Sequence, residues 1–172
     1  VTSNGVDEGH VNIPSPFSPH IIALDKNTGE LLWENTDVAE GILHGSWTNP
    51  AYAEIDGRAQ VIVAGGNGII YSLDADTGEA VWQFDCNPED SEWILGGRGT
   101  RNNILSTPVV YDNKVYIGVG QDPEHGEAPG HFFAIDATGT GDGWGCYTAS
   151  GFVLSRCDDV RDGHWKTSIS RG

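Results

Sequence analysis

One short phrase occurs twice in this chain, as LDKNTGELLWEN at residues 24–35 and as LDADTGEAVWQFD at residues 73–85. Asp25 and Asp74, Gly29 and Gly78, and Trp33 and Trp82 each stand 49 positions apart, so one period relates all three pairs. A weaker third copy, FAIDATGTGDGW, begins at Phe133, and its Asp136 falls 62 positions after Asp74. Self-similarity at a period of roughly 20 to 50 residues marks solenoids, propellers and arrays. The repeat therefore restricts the fold before any other property does.

The unit is written in short strands. Residues 49–54, 59–64, 69–73 and 80–84 are rich in Val, Ile, Ala and aromatic residues, and turn signals separate them. Asp56-Gly57 and Asn67-Gly68 tolerate positive φ. The DADTG stretch predicts a turn in which the aspartate accepts backbone N–H groups, the threonine adds a local bond and the glycine turns left-handed. Four such strands make an antiparallel sheet too small to bury both apolar faces alone. Neighbouring copies must stack, with Trp33 and Trp82 filling equivalent gaps between them.

Radial stacking of such sheets is a propeller. The predicted fold is all-β, a partial β-propeller of four-stranded antiparallel blades, one complete and two partial. Blade 1 is placed at about residues 1–35, blade 2 at about 48–85 and blade 3 at about 106–142, the last containing STPVVYD, KVYIGVG and HFFAID. Residues 143–172 leave the repeat pattern and its strand spacing, forming an atypical C-terminal segment.

Charge narrows the partners. The net charge is −16, with 25 acidic against 9 basic residues, and residues 1–142 hold 22 of the acids and only 5 of the bases. Such a body repels phosphate backbones and anionic lipid, so nucleic acid is not an expected partner. No apolar run reaches the length of a membrane span, so membrane insertion is not expected either. The absence of methionine, even at residue 1, suggests a mature or truncated product. The three cysteines, Cys86, Cys146 and Cys157, form no CxxC metal pair and no haem-attachment motif. A Cys146–Cys157 disulfide stays open.

The Ala-x-Asp-x-x-Thr-Gly pattern followed by Trp, seen at Ala23, Asp25, Thr28, Gly29 and Trp33, resembles the pyrroloquinoline quinone (PQQ) repeat of quinoprotein-like β-propellers. The resemblance covers about residues 1–142, and SNGVDEGHVNIPSP, GGRGTRN and GQDPEHGE are similar to segments of such propellers. It implies a ring of about seven or eight blades, so this chain is read as a fragment that stacks on other blades or on copies of itself. It also implies an extracytoplasmic place, periplasmic or secreted. Relatives include quinone-dependent alcohol and sugar dehydrogenases and the propeller lipoprotein of outer-membrane assembly. The leading expectation is a scaffold binding a ligand or a protein partner. The alternative is a piece of a periplasmic PQQ-dependent oxidoreductase acting on an alcohol or sugar.

Candidate site residues lie in the loops. Asp7 and His10 in the first long loop, Asp122, Glu124 and His125 in its counterpart two blades on, and His44 between blades repeat acid and imidazole at matched places. Carboxylate with neutral imidazole suits a transition metal, and carboxylate with carbonyl oxygens suits Ca. The same residues also populate solvated turns. In the long segment 86–103, Arg98 and Arg101 offer planar donors to a carboxylate or quinone oxygen, with local acids such as Asp90 or Glu92 as the competing partners. Trp93 is able to stack on a planar cofactor or to pack between blades. The cofactor expectation is PQQ with Ca, or a divalent metal alone. The resemblance also implies a vicinal cysteine lid in many alcohol dehydrogenases, and this chain has no such pair.

Overall fold

The computed structural model describes residues 5–6, 12–39, 41–96, 98–121, 130–139, 141–142, 146–150 and 153–156. Its strands are β1 (Ile21–Leu24), β2 (Leu31–Asn35), β3 (Ala51–Ile55), β4 (Arg58–Ala64), β5 (Ile69–Asp74), β6 (Ala80–Asp85), β7 (Val109–Tyr111), β8 (Lys114–Val119), β9 (His131–Asp136), β10 (Gly141–Asp142), β11 (Cys146–Ser150) and β12 (Val153–Arg156). Among the described residues the only helical turn is the 3-10 piece Asp37–Ala39. The chain is all-β, as its period requires.

The strands form three sheets, ordered β1-β2, β10-β6-β5-β4-β3 and β12-β11-β9-β8-β7. Within the middle sheet β3 to β6 run as an antiparallel meander, and β10 adds a parallel edge with Gly141 beside Trp82. One expectation fails at the C-terminal end. Instead of ending its strand spacing at residue 142, the chain adds β11 antiparallel to β9, and β12 pairs with β11. The edge of β9 presents unpaired N–H and C=O groups, which any extended segment satisfies whether or not it follows the repeat pattern.

The repeated turns fold as their residues dictate. Asp25 accepts the backbone N–H groups of Asn27 and Thr28, both at 2.8 Å, and Gly29 closes the turn at φ 75°. Asp74 does the same for Asp76 and Thr77 at 3.0 and 3.1 Å, with Gly78 at φ 76°. The Thr28 and Asn27 amides hold the Asp25 carboxyl below its usual range, and Arg58, with the Asp76 amide, does so for Asp74. At Asp136 the pattern shortens to bonds from Thr138 alone.

The sheets stack through these turns. Trp33 of β2 donates its indole N–H to the Ala75 carbonyl at 2.9 Å, and Asn35 donates its amide to the Gly78 carbonyl at 2.9 Å. Gly78 answers two demands together. Its φ is left-handed, and a Cβ there would stand 2.6 Å from the Trp33 ring. Trp82 departs from the expected equivalence. It is buried between the second and third sheets, but donates to Gln60 of its own sheet at 3.2 Å, because the buried Gln60 Oε1 lies within reach.

Packing follows the stacking. Ile62, Ile70, Trp82 and Phe84 meet Val115, Ile117, Phe133 and Ile135 between the second and third sheets, with the Phe84 and Phe133 rings edge-on at 5.5 Å. Ile21 and Val38 meet Val63, Tyr71 and Leu73 between the first and second. The middle sheet is therefore covered on both faces. Each fully buried aliphatic side chain contributes about 2 kcal/mol, so the two interfaces carry most of the stability.

Two stability predictions follow from this packing. Gly29 has nothing within 4 Å of an added Cβ, whereas Gly78 meets Trp33, although their φ values nearly match. In urea unfolding, Gly29→Ala is expected to cost about 1 kcal/mol from backbone strain alone, and Gly78→Ala at least about 2 kcal/mol because overpacking is added. The second concerns His20, fully buried with neither ring nitrogen hydrogen-bonded. Burial lowers its pKa from 6.5 to about 4. Above pH 6.5 both states hold the neutral ring, and between pH 6.5 and 4 only the unfolded chain takes up the proton. Stability should fall by about 1.4 kcal/mol per unit across that window, and His20→Leu should flatten this part of the pH profile.

Candidate functional site

The meander sorts the connections by length. The tight aspartate turns after β1, β3, β5 and β7 lie at one end of the sheets, and the long loops lie at the other. Backbone bonds knit those loops together. Val6 donates to His44 O at 3.0 Å, Leu43 to Gly66 O at 3.1 Å and Gly96 to Leu43 O at 2.5 Å. The loop 86–103 closes its own neck, where Thr100 and Arg101 donate to Glu92 O at 2.9 and 3.3 Å and Glu92 N donates to Thr100 Oγ1 at 2.7 Å. Its tip reaches across the middle sheet, since the Trp93 indole donates to Gly41 O at 2.8 Å.

Beneath the loops lies a group of buried asparagines that the sequence reading did not single out. Asn87 donates to Asn67 O at 3.0 Å and accepts from Asn102 N at 2.7 Å, and Asn102 donates to Cys86 O at 2.7 Å. Asn67 donates to the Tyr71 hydroxyl at 2.7 Å. These amides act as replacement backbone, satisfying N–H and C=O groups where the strands end. Gly68 is required among them, since a Cβ would collide with Asn87 Oδ1. The Asn-Asn pair at 102–103 in a loop dominated by acids was the available signal. Cys86 lies in the same layer as a free thiol, and burial pushes its pKa up.

Asn103 differs from its neighbours. Its backbone N–H reaches Gly120 O at 2.8 Å, but its side chain is 2% exposed and neither amide atom has a hydrogen-bond partner. Arg101 Nε and His131 Nδ1 are also buried and unpaired. Leaving a buried amide unsatisfied costs about 1–3 kcal/mol. Asn103→Leu, close in volume and free of polar atoms, is therefore expected to raise the urea midpoint by an amount equivalent to about 1–2 kcal/mol.

The structure gives the expected site residues separate tasks. Arg101 pairs with Asp85 at 3.0 Å rather than with Asp90 or Glu92, because its backbone enters beside the end of β6. Arg98 is exposed. Trp93, 45% exposed, clamps two loops and does not pack between sheets. His44 sits in the loop after β2 with its ring 5.7 Å from that of Trp47. Asp7, His10, Asp122, Glu124 and His125 lie outside the described residues. Among the described residues no three His, Cys, Asp or Glu side chains come together to hold a metal. With Arg101 committed to Asp85 and Trp93 to Gly41, the described residues do not fit a quinone with its cation, and no catalytic step is derived from them.

Stacked antiparallel sheets joined through repeated Asp-to-Trp hairpins define a segment of a β-propeller. The family model described as outer membrane protein assembly factor BamB matches residues 4–151, and the chain belongs to this family of PQQ-repeat propellers. No curated protein matches the chain. Among solved structures, the quinohemoprotein alcohol dehydrogenase ADHIIG from Pseudomonas putida HK5 is 25% identical with a TM-score of 0.51, over 72% of this chain and 17% of that one. The quinohemoprotein alcohol dehydrogenase from Comamonas testosteroni is 23% identical with a TM-score of 0.53, over 80% and 19%. A europium-containing methanol dehydrogenase is 22% identical with a TM-score of 0.53, over 76% and 21%. The chain thus spans about a fifth of the length of these enzymes. No helix among the described residues is long and apolar enough to cross a membrane.

Proposed function

We propose that the chain is part of an extracytoplasmic quinoprotein-like propeller that serves as a ligand- or protein-binding scaffold, with the loop end as its contact surface. One observation carries this reading. Phe17 at 92%, Trp47 at 59%, Trp93 at 45% and Ile94 at 39% exposure all sit in the long loops, away from the faces through which the sheets stack. Large apolar groups held in water on one end of a fold mark a contact surface more often than a solvated one. The unpaired amide of Asn103 adds a polar group that a bound partner is able to satisfy.

The second reading, a piece of a PQQ-dependent alcohol dehydrogenase, rests on the likeness to the enzyme from Pseudomonas putida HK5. The metal candidates His10, Asp122, Glu124 and His125 belong to either reading. The full-length parent protein, supplied with PQQ and Ca, separates the two. Dye reduction with alcohols and aldoses is expected to stay at background, and quinone-dependent turnover would contradict the scaffold.

A further inference from the structure

The two ends of the sheet stack differ in chemistry. The tight-turn end carries Asp25, Asp56, Asp74 and Asp112 alongside Lys26, Arg58 and Lys114, and Arg58 and Lys114 are paired there with Asp74 and Asp112. The loop end joins exposed indoles to exposed carboxylates. Trp47 and Trp93 stand beside Asp37, Asp90 and Glu92, all three exposed, while Arg101 is held by Asp85. Arg98 is the exposed cation of the same loops.

Both indoles are held in place. The Trp93 N–H is occupied by Gly41 O at 2.8 Å, leaving the ring face as the part turned to solvent, and Trp47 lies against the Gly45 backbone and the His44 ring. An indole face carries negative electrostatic potential, so it attracts a cation in the same sense as a neighbouring carboxylate does. A chain of net charge −16 strengthens that field and disfavours anionic ligands. Because these residues are in loops, the surface stays open when further sheets stack on the outer faces.

Resting on the scaffold reading above, we propose that the loop end docks a cationic polypeptide segment, whose Lys or Arg side chains stack on Trp47 and Trp93 and pair with Asp90 and Glu92. Charge complementarity selects this occupant over a neutral sugar, which would leave the carboxylates without counterparts, and over a nucleic acid or anionic lipid, which they would repel.

The test titrates the full chain with a synthetic peptide alternating Arg and Ala, reading tryptophan emission. Binding should weaken as salt rises, and Trp47→Ala and Trp93→Ala should each weaken it by about tenfold, the share of a partly desolvated cation–π contact. Asp90→Asn combined with Glu92→Gln should weaken it further, whereas Asp76→Asn at the opposite end should leave it unchanged. Trp93→Phe, which keeps an aromatic face, checks that loss in the alanine variant is not misfolding and should retain most of the binding. Equal weakening by Asp76→Asn would show diffuse charge attraction and overturn the proposal. Equal binding of a Glu-Ala peptide or of a neutral oligosaccharide would overturn it as well. Absence of peptide binding without quinone turnover removes the cationic partner alone, and turnover removes the scaffold reading itself.

Discussion

The contact between the Trp33 ring and the Gly78 turn is what the rest of the structure depends on. A four-stranded sheet has two apolar faces and no means of covering either one, so every blade is stable only through its neighbour. The hairpin solves this by placing a large flat ring on its last strand and, one repeat on, a turn whose glycine leaves room for it. The bond from the indole to Ala75 O then fixes the distance and rotation of one sheet against the next. Loss of the ring removes packing and register together.

That arrangement separates stability from recognition. Inward-facing strand residues are committed to sheet contacts, and the aspartate turns spend their polar groups on their own backbones. The loops at the opposite end are free to vary because asparagine side chains, rather than strand pairing, satisfy the backbone beneath them. Trp93 and the Glu92–Thr100 neck then give loop 86–103 a defined shape without a strand of its own. A surface built this way displays aromatic rings in fixed positions and adds little cost of ordering when a partner arrives.

Much of the fold was legible in the sequence because its signals are local. Apolar runs four to six residues long, Asp-Gly and Asn-Gly turns and the Asp-to-Trp spacing each act within a few residues, and they place β3 to β9 closely. Trp33 was legible because the period supplied the next turn as its partner. What escaped depends on distant pairing. Trp93 finds Gly41 52 residues back, and Arg101 passes over nearby Asp90 and Glu92 for Asp85. β11 joins the third sheet through backbone edge groups, which carry no side-chain pattern. The asparagine layer was hidden for the same reason, since each amide serves a carbonyl or amide fixed by the fold. The metal candidates are matched in sequence position, a kind of pattern that does not measure the distance between side chains.

The most direct test of sheet docking is the cost of Gly78→Ala measured in a Trp33→Ala background by urea unfolding. If the indole is what the added methyl meets, that cost falls from at least about 2 kcal/mol to the roughly 1 kcal/mol of left-handed backbone strain. An undiminished cost in the absence of the ring would contradict the account.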